Sequence, residues 1–396
     1  MSRGPIALLV LAAAVLVPSS GGSASTSGLL SDKLVMVGPS NDGTALVAVS
    51  VSGATTVLTP RYVPTEFLDP SQPAGTRPEL LEESVAVSPD GRATAFASEG
   101  QGGDCCRRAF EGDLFLIRAD GSGLRRLTAT PDRDESRPVF SPDGRWIAVL
   151  QDAGLRPADR PKVSVAVVGS DGGTTRVLAA AKTGESPRDV QIAWHPDSRR
   201  LLFYPGTAYS GGPPEHSLLI DLTNGSRRTL YGGPSAFSPD GRRLATMWGR
   251  EIYVGPVEAF TKPDFARRLR PVVAETFSKT GERVSSADDF AWLSDGRLAY
   301  TSTVATKEPG CLFTRTLFGS VDRRGRQTVI GRGVCGWGKL TVNAATSLLL
   351  WHSTRLVVSP PTVWRPRFVP TRFFPNHSYT FGYQASTCVV HGSNGC

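Results

Sequence analysis

The sequence predicts an all-β fold, a six-bladed β-propeller built from four-stranded antiparallel blades. The first observation is a repeated turn: Ser-Pro-Asp-Gly-Arg occurs at residues 88–92, 141–145 and 238–242, with degenerate copies at 195–199 and 293–297. The turn Asp residues lie 53, 54, 43 and 55 positions apart, and self-similarity at such a period is typical of repeat architectures. The second observation is an apolar run on each side of every turn, which indicates a pair of half-buried strands.

The chemistry of the repeated turn explains its composition. Pro presets φ at the first corner, Gly takes the left-handed conformation, and Asp can accept a hydrogen bond from a nearby backbone N–H. We therefore expect a structural role for the five turn aspartates: Asp90, Asp143, Asp197, Asp240 and Asp295. His195 replaces the Ser of the third copy, and we expect it to be a turn residue rather than a metal ligand.

A second hairpin in each unit completes the predicted blade. Its turns include Asp120-Gly121 and Asn224-Gly225, which are typical two-strand connections. One four-stranded sheet buries too little surface to be stable alone, and a radial arrangement of several sheets protects their edges. Five complete units occupy residues 84–330.

The ends of the chain predict how the ring closes. Apolar runs at 340–343 and 348–352 resemble the inner half of a sixth blade, followed by one candidate strand at 356–358. The N-terminal hairpin at 45–58 would supply the missing strands and close the ring. Seven blades are the alternative, if residues 34–37 and the tail form further strands.

Three regions are expected along the chain. Residues 1–25 read as a secretory signal peptide, with Arg3 before a 12-residue apolar run. Residues 34–358 form the propeller, and residues 359–396 form a basic tail rich in Pro and aromatic residues. We expect the tail to pack on the propeller, with a partner-binding segment as the alternative. The mature chain has no predicted transmembrane span, so we expect a secreted or periplasmic, cell-envelope protein that is a monomer.

The net charge of +8 is concentrated near the C-terminus. Residues 323–396 contain nine Lys or Arg and no Asp or Glu. A basic exported surface could bind an anionic cell-surface polymer, although charge blocks are commonly just solvated. Nucleic acid is not an expected partner in that compartment.

Six cysteines in an exported chain predict disulfide bonds. Cys311 precedes the third strand of the fifth unit and Cys335 follows the fourth, and these ends are adjacent in an antiparallel pair. We therefore expect a Cys311–Cys335 bond, and a Cys388–Cys396 bond in the tail. Cys105 and Cys106 form either a vicinal bridge or bonds to the tail. We expect no cofactor and no metal site, because the His and Cys spacing does not match one.

The long connections are predicted on the face opposite the Asp-Gly turns. Binding residues tend to lie on such loops above a rigid scaffold. The candidate contacts on this face are Arg107, Arg108, Tyr209 and Trp337.

Two stretches resemble the TolB-type propeller repeat: LFLIRADGSGLRRLT at 114–128 and RPVFSPDGRWIA at 137–148. The resemblance covers roughly residues 34–353. It implies a six-bladed propeller that works in the bacterial envelope as a protein-binding module, gripping partner segments at the propeller mouth. TolB also has an α/β domain before its propeller; because the predicted strands begin near residue 34, we do not expect that domain here. Prolyl oligopeptidase-type peptidases carry similar repeats, followed by an α/β-hydrolase domain with Gly-x-Ser-x-Gly, a motif this sequence lacks.

The main functional prediction is an exported, non-catalytic binding or scaffold protein of the bacterial cell envelope. It would engage a protein or peptide partner through the long-loop face, and no residue is predicted to be catalytic. The first alternative is a propeller enzyme of hydrolase, lactonase or lyase type with a site at the central channel. The second alternative is a binder of an anionic envelope polymer.

Overall fold

The predicted hairpins are present as antiparallel strand pairs. The structure, a computed structural model, describes residues 33–40, 43–50, 55–58, 79–99, 113–130, 133–152, 163–181, 190–206, 215–277, 279, 283–305, 314–335, 339–343, 348–352, 356–359 and 367–368. Within these residues the strands form seven sheets, five of four strands, one of three and one of five.

Sheets 1 to 4 follow one another along the chain. Sheet 1 contains β1 (Lys33–Ser40), β2 (Gly43–Ser50) and β3 (Thr55–Val57). Sheet 2 contains β4 (Glu79–Val87), β5 (Ala93–Glu99), β6 (Asp113–Arg118) and β7 (Arg125–Arg126). Sheet 3 contains β8 (Asp134–Phe140), β9 (Trp146–Asp152), β10 (Val163–Gly169) and β11 (Arg176–Ala180). Sheet 4 contains β12 (Gln191–Trp194), β13 (Arg200–Tyr204), β14 (His216–Asp221) and β15 (Arg227–Tyr231).

Sheets 5 to 7 complete the series. Sheet 5 contains β16 (Ser235–Phe237), β17 (Arg243–Trp248), β18 (Glu251–Pro256) and β19 (Pro271–Val273). Sheet 6 contains β20 (Thr276–Phe277), β21 (Arg283–Trp292), β22 (Leu298–Ala305), β23 (Thr314–Val321) and β24 (Gln327–Cys335). Sheet 7 contains β25 (Lys339–Asn343), β26 (Leu348–His352), β27 (Leu356–Ser359) and β28 (Arg367–Phe368).

Apolar cores lie between consecutive sheets. Successive side chains of a strand point to opposite faces, and in β9 both faces are buried. Ile147 and Val149 pack with residues of sheet 2, whereas Ala148 and Leu150 pack with residues of sheet 4. Each central sheet is therefore packed between two neighbours, which is why no sheet needs to be stable alone.

The repeated turns are hydrogen-bonded as their sequence requires. In each, the N–H of the fourth residue donates to the C=O of the first, as from Gly144 to Ser141 at 2.8 Å. The glycines of the three full copies have φ between 69° and 72°, where a side chain would be strained. Each of the five turn aspartates accepts a hydrogen bond at 2.9–3.1 Å from the N–H two residues further on.

The degenerate third turn contacts both neighbouring turns. Ser198, which replaces the Gly, accepts a hydrogen bond from the Asp143 N–H at 2.9 Å. The Nε2 atom of His195 lies 3.2 Å from the Gly241 carbonyl oxygen, and its Nδ1 lies 3.2 Å from the Asp197 N–H nitrogen. The two departures from the repeat thus connect the turns of three consecutive sheets.

The outer hairpin of sheet 5 lacks the tight turn predicted for the second hairpin of each unit. A 3₁₀ helix (Val257–Thr261) and the four-residue helix α1 (Phe265–Arg268) intervene, and the strand begins at Pro271. Phe260 and Phe265 are fully buried, so this insertion fills the space between sheets 4 and 5. No helix in the described part of the chain is long and apolar enough to cross a membrane.

The N-terminal strands do not complete the last blade as expected. The strands β27 and β28 extend sheet 7 from the edge of β26, so β1–β3 form a separate sheet. Arg367–Phe368, which we expected in the tail, belongs to sheet 7. The strand β1 lies against β4 and also against β25 and β26.

Candidate functional site

A groove of about 680 Å³ lies between the outer parts of sheets 2 and 3. One wall is residues 126–130, which begin at the last residue of the outer strand of sheet 2, and the other is formed by residues of the segment 173–177 in the outer hairpin of sheet 3. Arg133 and Gln151 complete the lining. This volume is within the range of small-ligand sites.

Glu135 is buried directly behind the groove wall, with no exposed surface. It lies opposite Gln151 in the β8–β9 register, which brings the amide Nε2 of Gln151 to 2.8 Å from Oε1. The hydroxyl of Thr130 donates to the same Oε1 at 2.5 Å, and that of Thr128 lies 3.0 Å from Oε2. Three groove-lining side chains therefore converge on one carboxyl group.

Asp113 supplies a second buried carboxyl group, only 4% exposed. It forms an ion pair with Arg126 and accepts the Thr130 N–H at 3.3 Å. The Thr128 hydroxyl oxygen is 3.4 Å from Asp113 Oδ1 as well as 3.0 Å from Glu135 Oε2. Because Asp113 begins β6 and Glu135 lies in β8, the two carboxyl groups link sheets 2 and 3.

Burial governs the ionisation of both groups. Burial raises the pKa of Glu135, hydrogen bonds from Thr130 and Gln151 oppose it, and the nearby Asp113 charge raises it further. Burial also raises the pKa of Asp113, against the opposing attraction of Arg126. Two carboxyl groups with raised pKa beside a groove are a recognised mark of a functional site.

The groove-side partner of Glu135 is a hydroxyl group. Thr130 is half-buried on the groove wall, and its hydroxyl is within proton-transfer distance of Glu135, which Gln151 in turn orients. A hydroxyl, a base and an orienting group in series are the elements of an activated nucleophile.

The groove lining is positively charged. It contains Arg126 and Arg133 and no carboxylate. Arg126 is paired with Asp113, whereas the guanidinium of Arg133 makes one long hydrogen bond, 3.4 Å to Gln151 Oε1, among the described residues.

A separate, half-buried carboxyl group, that of Asp288, lies at the β-bulge of β21. It accepts a hydrogen bond from the Thr303 hydroxyl at 2.5 Å. Burial raises its pKa to about 6, while Thr303 and Arg250 oppose the shift and Asp289 adds to it.

The raised pKa of Asp288 predicts a pH-dependent stability. Because the folded pKa exceeds the unfolded value, the protein loses stability as pH rises from about 4 to about 6. Asp288→Asn should remove this loss and raise the free energy of unfolding at pH 7 by on the order of 2 kcal/mol. Denaturant unfolding at pH 4 and pH 7 measures it.

The matched control substitution should change the stability at pH 7 in the opposite direction. Hydrogen bonds from Arg297 lower the pKa of Asp295, so Asp295→Asn should reduce stability at pH 7. If each substitution changed the free energy of unfolding by the same amount at pH 4 and at pH 7, the assigned pKa directions would be contradicted.

Most residues predicted to bind or crosslink lie outside the described residues: Arg107, Arg108, Tyr209, Trp337, Cys105, Cys106, Cys311, Cys388 and Cys396. Cys335 ends β24, opposite Arg315 of β23. The five turn aspartates lie in hairpin turns and none lines the groove. Within the described part of the chain, no group of three His, Cys, Asp or Glu residues is placed to hold a metal.

Sequence reasoning missed Thr130 and Glu135, although one signal was present. A carboxylate stands eight positions before the turn Asp in three of the five units, as Glu82, Glu135 and Asp189. A charged residue in a strand that should be apolar, as Glu135 is in β8, indicates a buried polar group with a specific partner.

A comparison with curated proteins found a relative of this chain. No protein-family model matches the chain. The chain is 25% identical over 218 residues to the protein named tricorn protease homolog 1 of Streptomyces coelicolor. The match covers 53% of this chain and 18% of the relative, so the chain spans less than a fifth of that protein's length.

Several solved structures share the fold. A puromycin-hydrolyzing peptidase of Mycobacterium tuberculosis gives a TM-score of 0.53 at 13% identity, covering 87% of this chain and 54% of its own. The tricorn protease gives 0.50 at 12% identity, covering 86% and 35%. A TolB structure from Agrobacterium tumefaciens gives 0.45 at 14% identity, covering 83% and 99%. The first two support an all-β, propeller-type fold.

The comparisons overturn the main functional prediction. We expected a non-catalytic binding or scaffold protein, but the curated relative is a protease homolog. The prediction of a non-catalytic protein, which left an enzymatic activity open as less expected, is therefore contradicted, and the alternative of a propeller enzyme agrees better with the findings.

Proposed function

We propose that the protein is a propeller enzyme of the hydrolase class that cleaves peptide-type acyl bonds at the groove between sheets 2 and 3. The observation that supports the proposal most strongly is the 2.5 Å contact between the Thr130 hydroxyl and the buried Glu135 carboxyl group. The similarity to a tricorn protease homolog favours a peptide as substrate.

The groove residues support a two-step reaction. The Thr130 oxygen attacks the substrate carbonyl carbon, its proton passes to the Glu135 carboxylate, and the same proton is then given to the leaving amine. In the second step Glu135 accepts a proton from water, the hydroxide attacks the acyl group, and Thr130 leaves with its proton restored. Arg126 and Arg133 supply positive charge near the oxyanion.

The raised pKa of Glu135 sets the pH dependence of this reaction. Protonated Glu135 cannot accept the Thr130 proton, so the rate rises as pH increases through the pKa of Glu135. Because burial raises that pKa, the acidic limb lies above the ordinary range of a glutamate.

Substitution of Glu135 tests the proposal. Hydrolysis of blocked fluorogenic peptides by the purified full-length chain should fall about 100-fold in kcat/KM for Glu135→Gln, because a general base contributes roughly that much. Glu251→Gln is the matched control, since Glu251 bonds Tyr253 at 2.6 Å away from the groove, and it should keep its rate within about twofold. Absence of hydrolysis by the wild type, or equal rates for Glu135→Gln, would falsify the proposal.

The scaffold we propose for this enzyme is a closed ring of seven blades of the TolB type. The contacts of β1 with β4 on one side and with β25 and β26 on the other support closure. The repeat residues at 114–148 support the TolB-type assignment.

Chemical cross-linking tests the closure. Lys33 begins β1 and Lys339 begins β25, two neighbouring strands, and the chain has few other lysines. A lysine-reactive reagent followed by mass spectrometry should recover a Lys33–Lys339 cross-link in the native protein and lose it on denaturation. An open arrangement predicts no such cross-link in either state.

We also propose that the enzyme acts after export, in the envelope or outside the cell. The apolar N-terminal segment at residues 1–25 supports this location. The Cys311–Cys335 disulfide remains part of the same proposal, because such bonds persist in oxidising compartments.

A further inference from the structure

The outer hairpin of sheet 3 is less closed than its counterparts. In sheets 2, 4 and 6 a backbone hydrogen bond spans this turn, from Arg118 to Ser122, Asp221 to Ser226 and Asp322 to Arg326. The turn of sheet 3 keeps the bond from Gly172 to Gly169, which has counterparts in the other three turns. It lacks the second bond, so no backbone bond connects β10 to residues 173–175.

The consequence is a run of backbone without partners on the groove wall. Among the residues that the structure describes, Gly173, Thr174 and Thr175 make no hydrogen bond, and all three line the groove. These residues lead directly into the edge strand β11, and unpaired backbone at a sheet edge can pair with another extended chain.

The strand that follows continues this open edge. β11 is the outermost strand of sheet 3, with β10 along its other edge. Val177 of β11 lines the groove and is 47% exposed. Further along β11 the Leu178 carbonyl already accepts the Arg227 guanidinium at 2.5 Å, so the available edge is limited to residues 173–177.

The positive charge of the groove favours extended peptides that carry acidic side chains. Arg126 and Arg133 are its charged lining residues, and the guanidinium of Arg133 makes one long hydrogen bond among the described residues. Acidic side chains on the incoming segment would complement this charge, and an apolar side chain would cover Val177.

We propose that an extended peptide with acidic side chains binds in the groove as an added strand along residues 173–177. Backbone hydrogen bonds supply affinity in this mode and alternate side chains supply specificity. The inference rests on the proposed function, because it names the substrate class that the groove would present to Thr130.

The test uses a blocked hexapeptide on a full-length variant that should cleave it about 100-fold more slowly than the wild type. Acetyl-Glu-Val-Glu-Val-Glu-Val-amide is titrated into Glu135→Gln, and so is the same peptide N-methylated at alternate residues. N-methylation keeps the side chains and removes backbone donors, so it should weaken binding about tenfold or more. Equal affinity of the two peptides, or no binding of the first, overturns the proposal.

Protein variants locate the binding edge. Thr175→Pro removes one groove N–H and should weaken the unmethylated peptide several-fold. Arg133→Gln should also weaken it and reduce its salt dependence, whereas Arg228→Gln, a matched change on exposed β15, should have no effect. Unchanged affinity for both Thr175→Pro and Arg133→Gln overturns the proposed position.

These experiments distinguish failure of the peptide-binding proposal from failure of the proposed hydrolase function. If the peptide binds with the expected N-methyl sensitivity but wild-type protein cleaves no peptide, the docking proposal stands and the proposed function fails. If cleavage occurs but N-methylation and Thr175→Pro leave binding unchanged, the docking proposal fails alone.

Discussion

Phe265→Ala should lower the free energy of unfolding by about 3–5 kcal/mol. Phe265 is fully buried in α1, and its ring centroid lies 5.1–5.5 Å from the rings of Phe260, Tyr253 and Trp248. Truncation to alanine removes this apolar contact area and leaves a cavity between sheets 4 and 5, where the surrounding strands cannot collapse freely. Guanidinium unfolding followed by tryptophan fluorescence measures the loss.

Two variants separate the cavity effect from a local helix effect. Phe265→Leu keeps most of the volume and should lose much less stability than the alanine variant. Arg267→Ala, on the exposed side of the same helix, should change stability by less than about 0.5 kcal/mol. If Phe265→Ala were as stable as Arg267→Ala, the packing of the insertion between the two sheets would be wrong.

The hairpins could be predicted from sequence because their determinants are local. The turn at Ser141-Pro-Asp-Gly-Arg145 carries its own φ restriction, its own left-handed glycine and its own hydrogen-bond acceptor within five residues. Local rules did not predict the helices within residues 257–268, where Phe260 and Phe265 are buried between two sheets. Local rules also did not predict which strands complete the last sheet. There β28 pairs with the edge of β27, which we had expected the N-terminal strands to complete.

The site could not be predicted because its residues come from separate strands. Asp113, Glu135 and Gln151 lie in β6, β8 and β9, and only the packing of sheet 2 on sheet 3 brings the first to the others. The candidates chosen from long loops, such as Arg107 and Tyr209, lie outside the described residues and remain predictions. The repeated carboxylate at Glu135 was visible in the sequence, but nothing local revealed Thr130 as its partner.

Thr130→Val should reduce kcat/KM for peptide hydrolysis by on the order of 1,000-fold or more, because it removes the attacking oxygen. Valine matches threonine in shape, and the backbone N–H that donates to Asp113 is retained. The variant leaves Glu135 with its Gln151 and Thr128 hydrogen bonds, so the fold should persist, as thermal unfolding can verify. Thr130→Ser keeps a hydroxyl at the same position and should retain measurable activity.

The most direct measurement of whether the groove is an active site compares peptide hydrolysis by wild type, Thr130→Val and Thr130→Ser under identical conditions. We expect activity in the wild type and the serine variant and its loss in the valine variant, with all three proteins folded. Hydrolysis by Thr130→Val at the wild-type rate, or a folded wild type that cleaves no peptide, would contradict a catalytic site built on Thr130 and Glu135.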